Sequence, residues 1–310
     1  MRRAAVCLTA VLLAAIPARA FQPEIMDSVV AVVPHWPGFP PAGSGREAPE
    51  GTAVAVLPGG YLATNAHVLG KAERVDIRLA DGRLVAAEIV GRDAPTDLAL
   101  LKAPGRFPVP EMAPAPALGA KVCAVGNQFG LGLSVTCGVV SASRRSNAGF
   151  NPIEDFIQTD ASVNPGGSGG ALVDAEGRLV GLVSVIFTKK GDANIGVNFA
   201  ASAALVGRVA ADLRDHGRVL AADAGFRVAR LGAEARRRHS GARVVKVRRG
   251  GPALAAGLQA GDIVTRVAGR AVIHPGDVAA TLYLKRPGDT VEIAYLRDGA
   301  AATLELRLGP

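Results

Sequence analysis

Residues Phe156-Ile-Gln-Thr-Asp-Ala-Ser-Val-Asn-Pro-Gly-Gly-Ser168-Gly-Gly-Ala-Leu172 set one serine in a glycine-rich turn between two hydrophobic runs. Glycines 166, 167, 169 and 170 free the backbone for angles that other residues resist, so amides there can turn toward a substrate oxygen. A serine so placed is inert until a base takes its proton. Upstream, Leu62-Ala-Thr-Asn-Ala-His67-Val-Leu69 supplies a candidate base, and Thr96-Asp97-Leu-Ala-Leu-Leu101 supplies a carboxylate to orient it. Each residue alone has a bland reading: a histidine near a strand end, an aspartate in a turn, a serine among glycines. Together, in this order and flanked by strands, His67, Asp97 and Ser168 read as a nucleophile with its base and orienting acid.

The rest of the chain bounds what that site belongs to. At 310 residues and 49% apolar content, two or three modest domains can each bury a core. Residues 1–20 are read apart from them. Arg2 and Arg3 precede the apolar run 4–16, and Ala18-Arg19-Ala20 ends it with small residues, the layout of a signal peptide cleaved near Ala20. The mature protein is therefore expected in the periplasm or secreted. Without Arg2, Arg3 and Arg19 the formal charge falls from +8 to +5, and two cysteines remain. Cys123 and Cys137 flank Gly126-Asn-Gln-Phe-Gly-Leu-Gly132, each seven residues from Gly130, which suits cross-strand partners in an oxidising compartment. Two unpaired small hydrophobes are the alternative. No Cys-x-x-Cys, His-Glu-x-x-His or acidic calcium loop occurs, so no metal and no cofactor are expected.

Punctuation divides the mature chain. Residues 21–50 form an N-terminal segment, with the apolar run 29–33 and then a proline-rich loop from Pro34 to Pro49. Short β-branched runs at 52–57, 61–64, 75–79, 84–90 and 98–101 alternate with turns such as Pro58-Gly-Gly60 and Asp81-Gly82. A second all-β group follows from Lys121 to about Ala200. Two β units, with His67 and Asp97 in the first and Ser168 in the second, predict a cleft between two barrels over 51–205. Ser202 opens a helical pattern with Leu205, Val206, Val209 and Leu213 on one face and Gly217 as its stop, read as a linker helix over 206–221. Residues 222–310 alternate strands and short helices and end in a hairpin turning at Asp298-Gly299.

The blocks Thr64-Asn-Ala-His67-Val, Thr96-Asp97-Leu-Ala-Leu-Leu, Gly126-Asn-Gln-Phe-Gly-Leu-Gly and Gln158 to Gly170 resemble those of the HtrA (Deg) family of exported, trypsin-like serine proteases. The order His, Asp, Ser is that of the chymotrypsin-type triad. Gly250-Gly-Pro-Ala-Leu-Ala-Ala-Gly-Leu-Gln-Ala-Gly-Asp-Ile-Val264 resembles the PDZ domain that follows the protease in that family. The resemblance implies a mostly β chain, a chymotrypsin-like double β-barrel followed by an α+β PDZ domain. It also implies a cell-envelope endoprotease acting on unfolded or damaged proteins. Position 167 is usually Asn in the family and is Gly here, which leaves the turn before the serine more flexible. The alternative reading is a chaperone-like or scaffold protein with a resting or inactive protease domain.

In such a site Ser168 attacks the scissile carbonyl, His67 moves the proton, Asp97 holds the imidazole, and the N–H groups of Gly166 and Ser168 receive the oxyanion. By resemblance to trypsin-like enzymes, Ser162 lies at the base of the substrate pocket, and Ser184 to Ile186 form one wall. No acid stands at either place, so the pocket should reject Arg and Lys, and Ile186 should narrow it toward small aliphatic side chains. The stretch Ala224-Gly225-Phe226 resembles the loop that receives peptide carboxylates. Between Arg227 and Arg249 nine Lys or Arg face one acid, Glu234, which reads either as a solvated face or as attraction for acidic C-terminal tails or a phosphate-bearing surface. Nucleic acid is not expected as a partner. The resemblance further implies a homo-oligomer, a trimer through residues 21–33.

Overall fold

The computed structural model describes residues 21–37, 50–186 and 195–310; the expected signal peptide and most of the proline-rich loop lie outside them. Six strands close the first barrel: β1 (Val29–His35), β2 (Gly51–Leu57), β3 (Tyr61–Asn65), β4 (Arg74–Arg78), β5 (Leu84–Asp93) and β6 (Leu98–Lys102), in the order β1-β2-β3-β6-β5-β4. Six more close the second: β7 (Lys121–Gly126), β8 (Ser134–Arg145), β9 (Phe156–Thr159), β10 (Ala171–Val173), β11 (Leu179–Ile186) and β12 (Asn198–Ser202), in the order β10-β11-β12-β9-β8-β7. A one-turn helix, α1 (Ala66–Leu69), follows β3.

Burial explains why β2 reads as a continuous apolar run and not as an alternation. Ala53 and Ala55 point into the first barrel, while Val54 and Val56 point into a second cluster shared with Val125, Leu182 and Phe199 of the other barrel. Both faces of the strand are dry, so neither needs polar residues. The same seam receives α2 (Ala203–His216), whose Leu205, Val206, Val209 and Leu213 are buried. Ser202 caps its start by accepting the Leu205 N–H at 3.2 Å, and Gly217, left-handed at φ 68, ends it. This helix differs from the expected linker over 206–221. It starts earlier, and its apolar face is part of the inter-barrel core, where each fully buried Leu or Val contributes about 1.5–3 kcal/mol.

The run 29–33 is likewise not a free apolar segment. It lies in β1, pairs with β2 and β4, and sends Val30 and Val32 into the barrel and Val29 into the seam. The first barrel therefore begins upstream of residue 51, and an oligomer contact through 21–33 cannot use these valines.

The third unit is a sheet of β13 (Phe226–Arg230), β14 (Ala242–Val247), β15 (Ile263–Val267), β17 (Thr290–Arg297) and β18 (Ala300–Arg307) in that order, with β16 (Arg270–Ala271) on β15. Its helices are α3 (Ala233–Arg238), α4 (Pro252–Ala255) and α5 (Pro275–Tyr283). Asp298 and Gly299 both have positive φ, 50° and 85°, the geometry of a two-residue hairpin turn matched to strand twist. This unit docks on the barrels through polar ties. Tyr283 donates to both Asp93 oxygens at 2.8 and 2.9 Å, Arg270 to Asp155 at 3.2 Å, and Arg286 to Asp212 at 2.9 Å. Burial foremost, and then the Asp93 bond, pushes the Tyr283 phenol above its ordinary value.

Candidate active site

His67 sits on α1, and three contacts from one aspartate hold it. Asp97 Oδ1 accepts the His67 backbone N–H at 2.9 Å, Asp97 Oδ2 lies 2.5 Å from Nδ1, and the Asp97 carbonyl accepts Ala66 N–H at 2.9 Å. A carboxylate only accepts, so Nδ1 carries the proton and Nε2 keeps its lone pair. Asp97 reaches this position through a left-handed φ of 58°, tolerated by Asp, after the tight turn in which Thr96 and Asp97 N–H return to Asp93 and Ala94 carbonyls. The His67 side chain is 46% exposed and that of Asp97 is 14% exposed, so one end of the pair meets solvent and the other is sheltered.

Ser168 comes from the second barrel, between β9 and β10, as His67 comes from the first, after β3. Both border a cleft of about 310 Å³ together with Phe150, Val163, Asn164, Pro165 and Ser184. The Ser168 hydroxyl donates to the Ser184 carbonyl at 3.1 Å. Ser184 Oγ in turn accepts from Asn65 Nδ2 at 3.2 Å, which also reaches the Asp97 carbonyl, so Asn65 bridges the two halves of the site. Only glycine fits at 169: φ is +85° and a Cβ would overlap the Thr52 carbonyl.

Three consecutive carbonyls before the serine are each held. Pro165 O accepts from Phe129 N–H at 2.7 Å, Gly166 O from Thr52 Oγ1 at 2.7 Å, and Gly167 O from Gly170 N–H at 3.0 Å. A trans peptide points its C=O and N–H in opposite directions. The Gly166 and Ser168 N–H groups, which share peptide planes with Pro165 O and Gly167 O, therefore each point away from the held carbonyl of their own plane. Neither has a hydrogen-bond partner among the described residues.

Comparison with known proteins identifies this architecture. The trypsin-like peptidase domain model matches residues 51–182 and the PDZ domain model residues 229–308. A solved HtrA-type protease, AlgW with a tripeptide, matches with a TM-score of 0.71 and 34% identity, over 92% of this chain and 94% of that one. The chain belongs to the HtrA family. It is 35% identical over 280 residues to a probable periplasmic serine endoprotease, DegP-like, of Rhizobium meliloti (strain 1021), covering 87% of this chain and 55% of that protein. It is 34% identical over 258 residues to the periplasmic pH-dependent serine endoprotease DegQ of Escherichia coli (strain K12), covering 80% and 56%. The chain thus spans about half the length of the curated relatives it matches.

In this HtrA chain the pocket differs from the sequence expectation. Ser162 is exposed and outside the cleft lining; its carbonyl is turned to accept Thr136 Oγ1 at 2.5 Å, and Val163 and Asn164 line the cleft instead. Ser184 borders the cleft, whereas the Ile186 side chain lies outside the described residues. Phe150 also lines it, its ring 5.5 Å from that of Phe199. Nothing in the spacing around Phe150 marks it, because it is delivered by a loop and not by a periodic element. Gly167 has no left-handed φ, and a Cβ there would meet the Asn164 carbonyl at 3.0 Å.

Cys123 and Cys137 are directly opposite in β7 and β8 and are bonded, with a sequence separation of 14. Among the described residues no group of three or more His, Cys, Asp or Glu is placed to hold a metal.

Among the described residues the HtrA PDZ unit leaves β13 at the sheet edge, paired with β14 alone, and α5 packs beside it. Ala224-Gly225-Phe226 leads into that edge. Its Gly225 N–H is already committed to Asp223 Oδ1 at 2.8 Å, so this amide is not open to a ligand. The basic run is largely exposed. Arg248 bonds Asp223, Arg238 bonds Glu234 and Arg230 reaches Asn147 Oδ1 at 3.3 Å, while Arg227, Arg236, Arg237, Arg243 and Lys246 are exposed.

Proposed function

We propose that the protein is a periplasmic serine endopeptidase that cleaves unfolded or damaged polypeptides, with His67, Asp97 and Ser168 as its catalytic residues. The observation that carries the reading is the presence of an Asp97-oriented imidazole and Ser168 in the lining of one cleft, beside two N–H groups turned away from held carbonyls. In the reaction Ser168 Oγ leaves the Ser184 carbonyl and donates to His67 Nε2. It then attacks the scissile carbonyl while the imidazolium is steadied by Asp97. The Gly166 and Ser168 N–H groups take up the charge on the tetrahedral oxygen, each such donor contributing roughly 10²- to 10³-fold in rate. His67 returns the proton to the leaving amine, and water, activated by the same base, releases the acyl group.

The described lining of the cleft offers Phe150 and Val163 and no carboxylate. An arginine or lysine side chain of the substrate would be buried there unpaired, so apolar side chains are the proposed preference. Peptide C-termini are proposed to add as a strand to the free edge of β13, beside α5. The relatives named periplasmic, together with the basic-then-apolar layout of residues 1–20 from which a signal peptide is proposed, support the compartment. A protease unit that takes in β1 and α2, a following PDZ unit over 222–310 and a homotrimer belong to the same proposal, with mass in solution as the check on the trimer. The held peptides beside Ser168 favour an active protease over a scaffold with an inactive domain. The test is labelling by a fluorophosphonate and hydrolysis of casein by the full chain. Both should be abolished by Ser168→Ala with the fold retained, since loss of the nucleophile costs on the order of 10⁶-fold in a comparable protease. Hydrolysis at the wild-type rate by the purified variant would overturn the assignment.

A further inference from the structure

Thr52, from the histidine-bearing barrel, places its side chain against the peptide chain preceding the nucleophile. It lies on β2 and is fully buried. Its Oγ1 donates to the Gly166 carbonyl at 2.7 Å and accepts the Asn127 N–H at 2.9 Å. Its backbone N–H donates to the Ser168 carbonyl at 2.9 Å, and its own carbonyl accepts from Thr64 Oγ1 at 2.7 Å. Because Asn127 occupies the acceptor side of the hydroxyl, the proton of Thr52 has one direction left, toward Gly166 O.

That carbonyl sits between the two N–H groups that the proposed reaction uses. The peptides 165–166 and 167–168 carry those donors, and the peptide 166–167 joins them. Gly166 and Gly167 both lack a side chain to restrict rotation, so the joining plane is free to turn unless something holds it. Its N–H is returned to Asn164 O at 2.9 Å, a bond within the same loop. The bond from the other barrel comes from the Thr52 hydroxyl. We propose that Thr52 is a positioning residue, whose hydroxyl fixes the Gly166–Gly167 peptide and so keeps both oxyanion donors aligned with Ser168; this rests on the protease reading above.

A hydroxyl removed from a buried site leaves the Gly166 carbonyl and the Asn127 N–H without their partner, and the loop turns to recover them. The test compares Thr52→Val, which keeps the shape and loses the hydroxyl, with Thr52→Ser, which keeps the hydroxyl and loses a methyl group. The readouts are kcat and KM on a short peptide substrate, the rate of fluorophosphonate labelling, and the melting temperature. Thr52→Val is expected to lower kcat and the labelling rate roughly 10- to 100-fold with KM changed less than about twofold, and Thr52→Ser to restore most of the loss. Equal impairment of both variants assigns the effect to packing and overturns the proposal, as does a Thr52→Val enzyme with wild-type kcat. If Thr52→Val does not fold, Thr52→Ala measured against Thr52→Ser isolates the hydroxyl by the same criteria. A wild-type chain that fails to label removes the protease reading and this proposal with it. A labelled wild type with indifferent Thr52 variants removes this proposal alone.

Discussion

Replacing Asp97 by asparagine should silence the imidazole without disturbing the fold. The left-handed φ of 58° at this position suits Asn as well as Asp, and the side chains are the same size. What changes is hydrogen-bond polarity. In the wild type one carboxylate oxygen accepts the His67 backbone N–H at 2.9 Å and the other meets Nδ1 at 2.5 Å. An amide has a single oxygen, and the backbone N–H has no choice but to donate, so the oxygen goes there. The NH₂ group then faces Nδ1 and forces it to accept, which moves the ring proton to Nε2, where the base is needed. Returning the proton to Nδ1 forfeits a charge-assisted bond of about 1.5–3 kcal/mol and sets a donor against a donor for about 1–3 more. At about 1.4 kcal/mol per tenfold, kcat should fall by roughly 10² to 10⁴, the upper figure matching the same change in a chymotrypsin-type triad. The assay is kcat on a peptide substrate at neutral pH, with circular dichroism and melting temperature as the control on folding. A folded variant retaining more than a tenth of wild-type kcat would refute the assigned tautomer.

Three further outcomes follow from the geometry. Reducing the Cys123–Cys137 bond should lower the melting temperature while sparing activity at moderate temperature; a closed loop of 14 residues is worth about 3 kcal/mol at most in the chain-entropy model, and an unchanged melting temperature in reductant would count against it. Burial acts to raise the Asp212 and Asp262 carboxyls, but bonds from Arg208, Leu220 N–H and Arg286 to the first, and from Arg297 and Gln259 N–H to the second, outweigh it and hold both below the usual carboxylate range. Their folded pKa values are depressed, so the stability they contribute is complete above about pH 4 and is lost as pH falls through the folded values. Urea melts across that window should show a shallower acid loss in Asp262→Asn than in wild type; parallel curves would refute it. At the PDZ edge, peptides with a free C-terminus should bind more tightly than amidated ones at any salt, and acidic tails should associate faster than neutral ones at low salt, with the advantage shrinking as screening grows. Equal binding of free and amidated peptides, measured by fluorescence anisotropy, would argue against carboxylate capture on β13.

Much of this site is written in local chemistry. A serine between paired glycines, an asparagine-alanine-histidine turn after a strand, and an aspartate opening a buried run each declare a residue type and a backbone need within a few positions. Five strands of the first barrel, the all-β character of the second and the capped helix after Ser202 are legible for the same reason: caps, turns and apolar runs are near-neighbour effects. Three-dimensional packing decided the rest. Whether Val29–Val33 meets solvent, a partner or a barrel depends on β4, more than forty residues away. Whether Ser162 lines a pocket depends on where Thr136 draws its carbonyl, and whether the Gly225 amide is open depends on the rotamer of Asp223. Thr52 shows the limit most clearly. In sequence it is one polar residue in an apolar strand, and its place beside Gly166, separated by 114 residues, exists only once two barrels close against each other. Short-range signals specify elements because they act through the backbone next to them. Hydrogen bonds between distant segments carry no local mark, since either partner alone would satisfy many other folds.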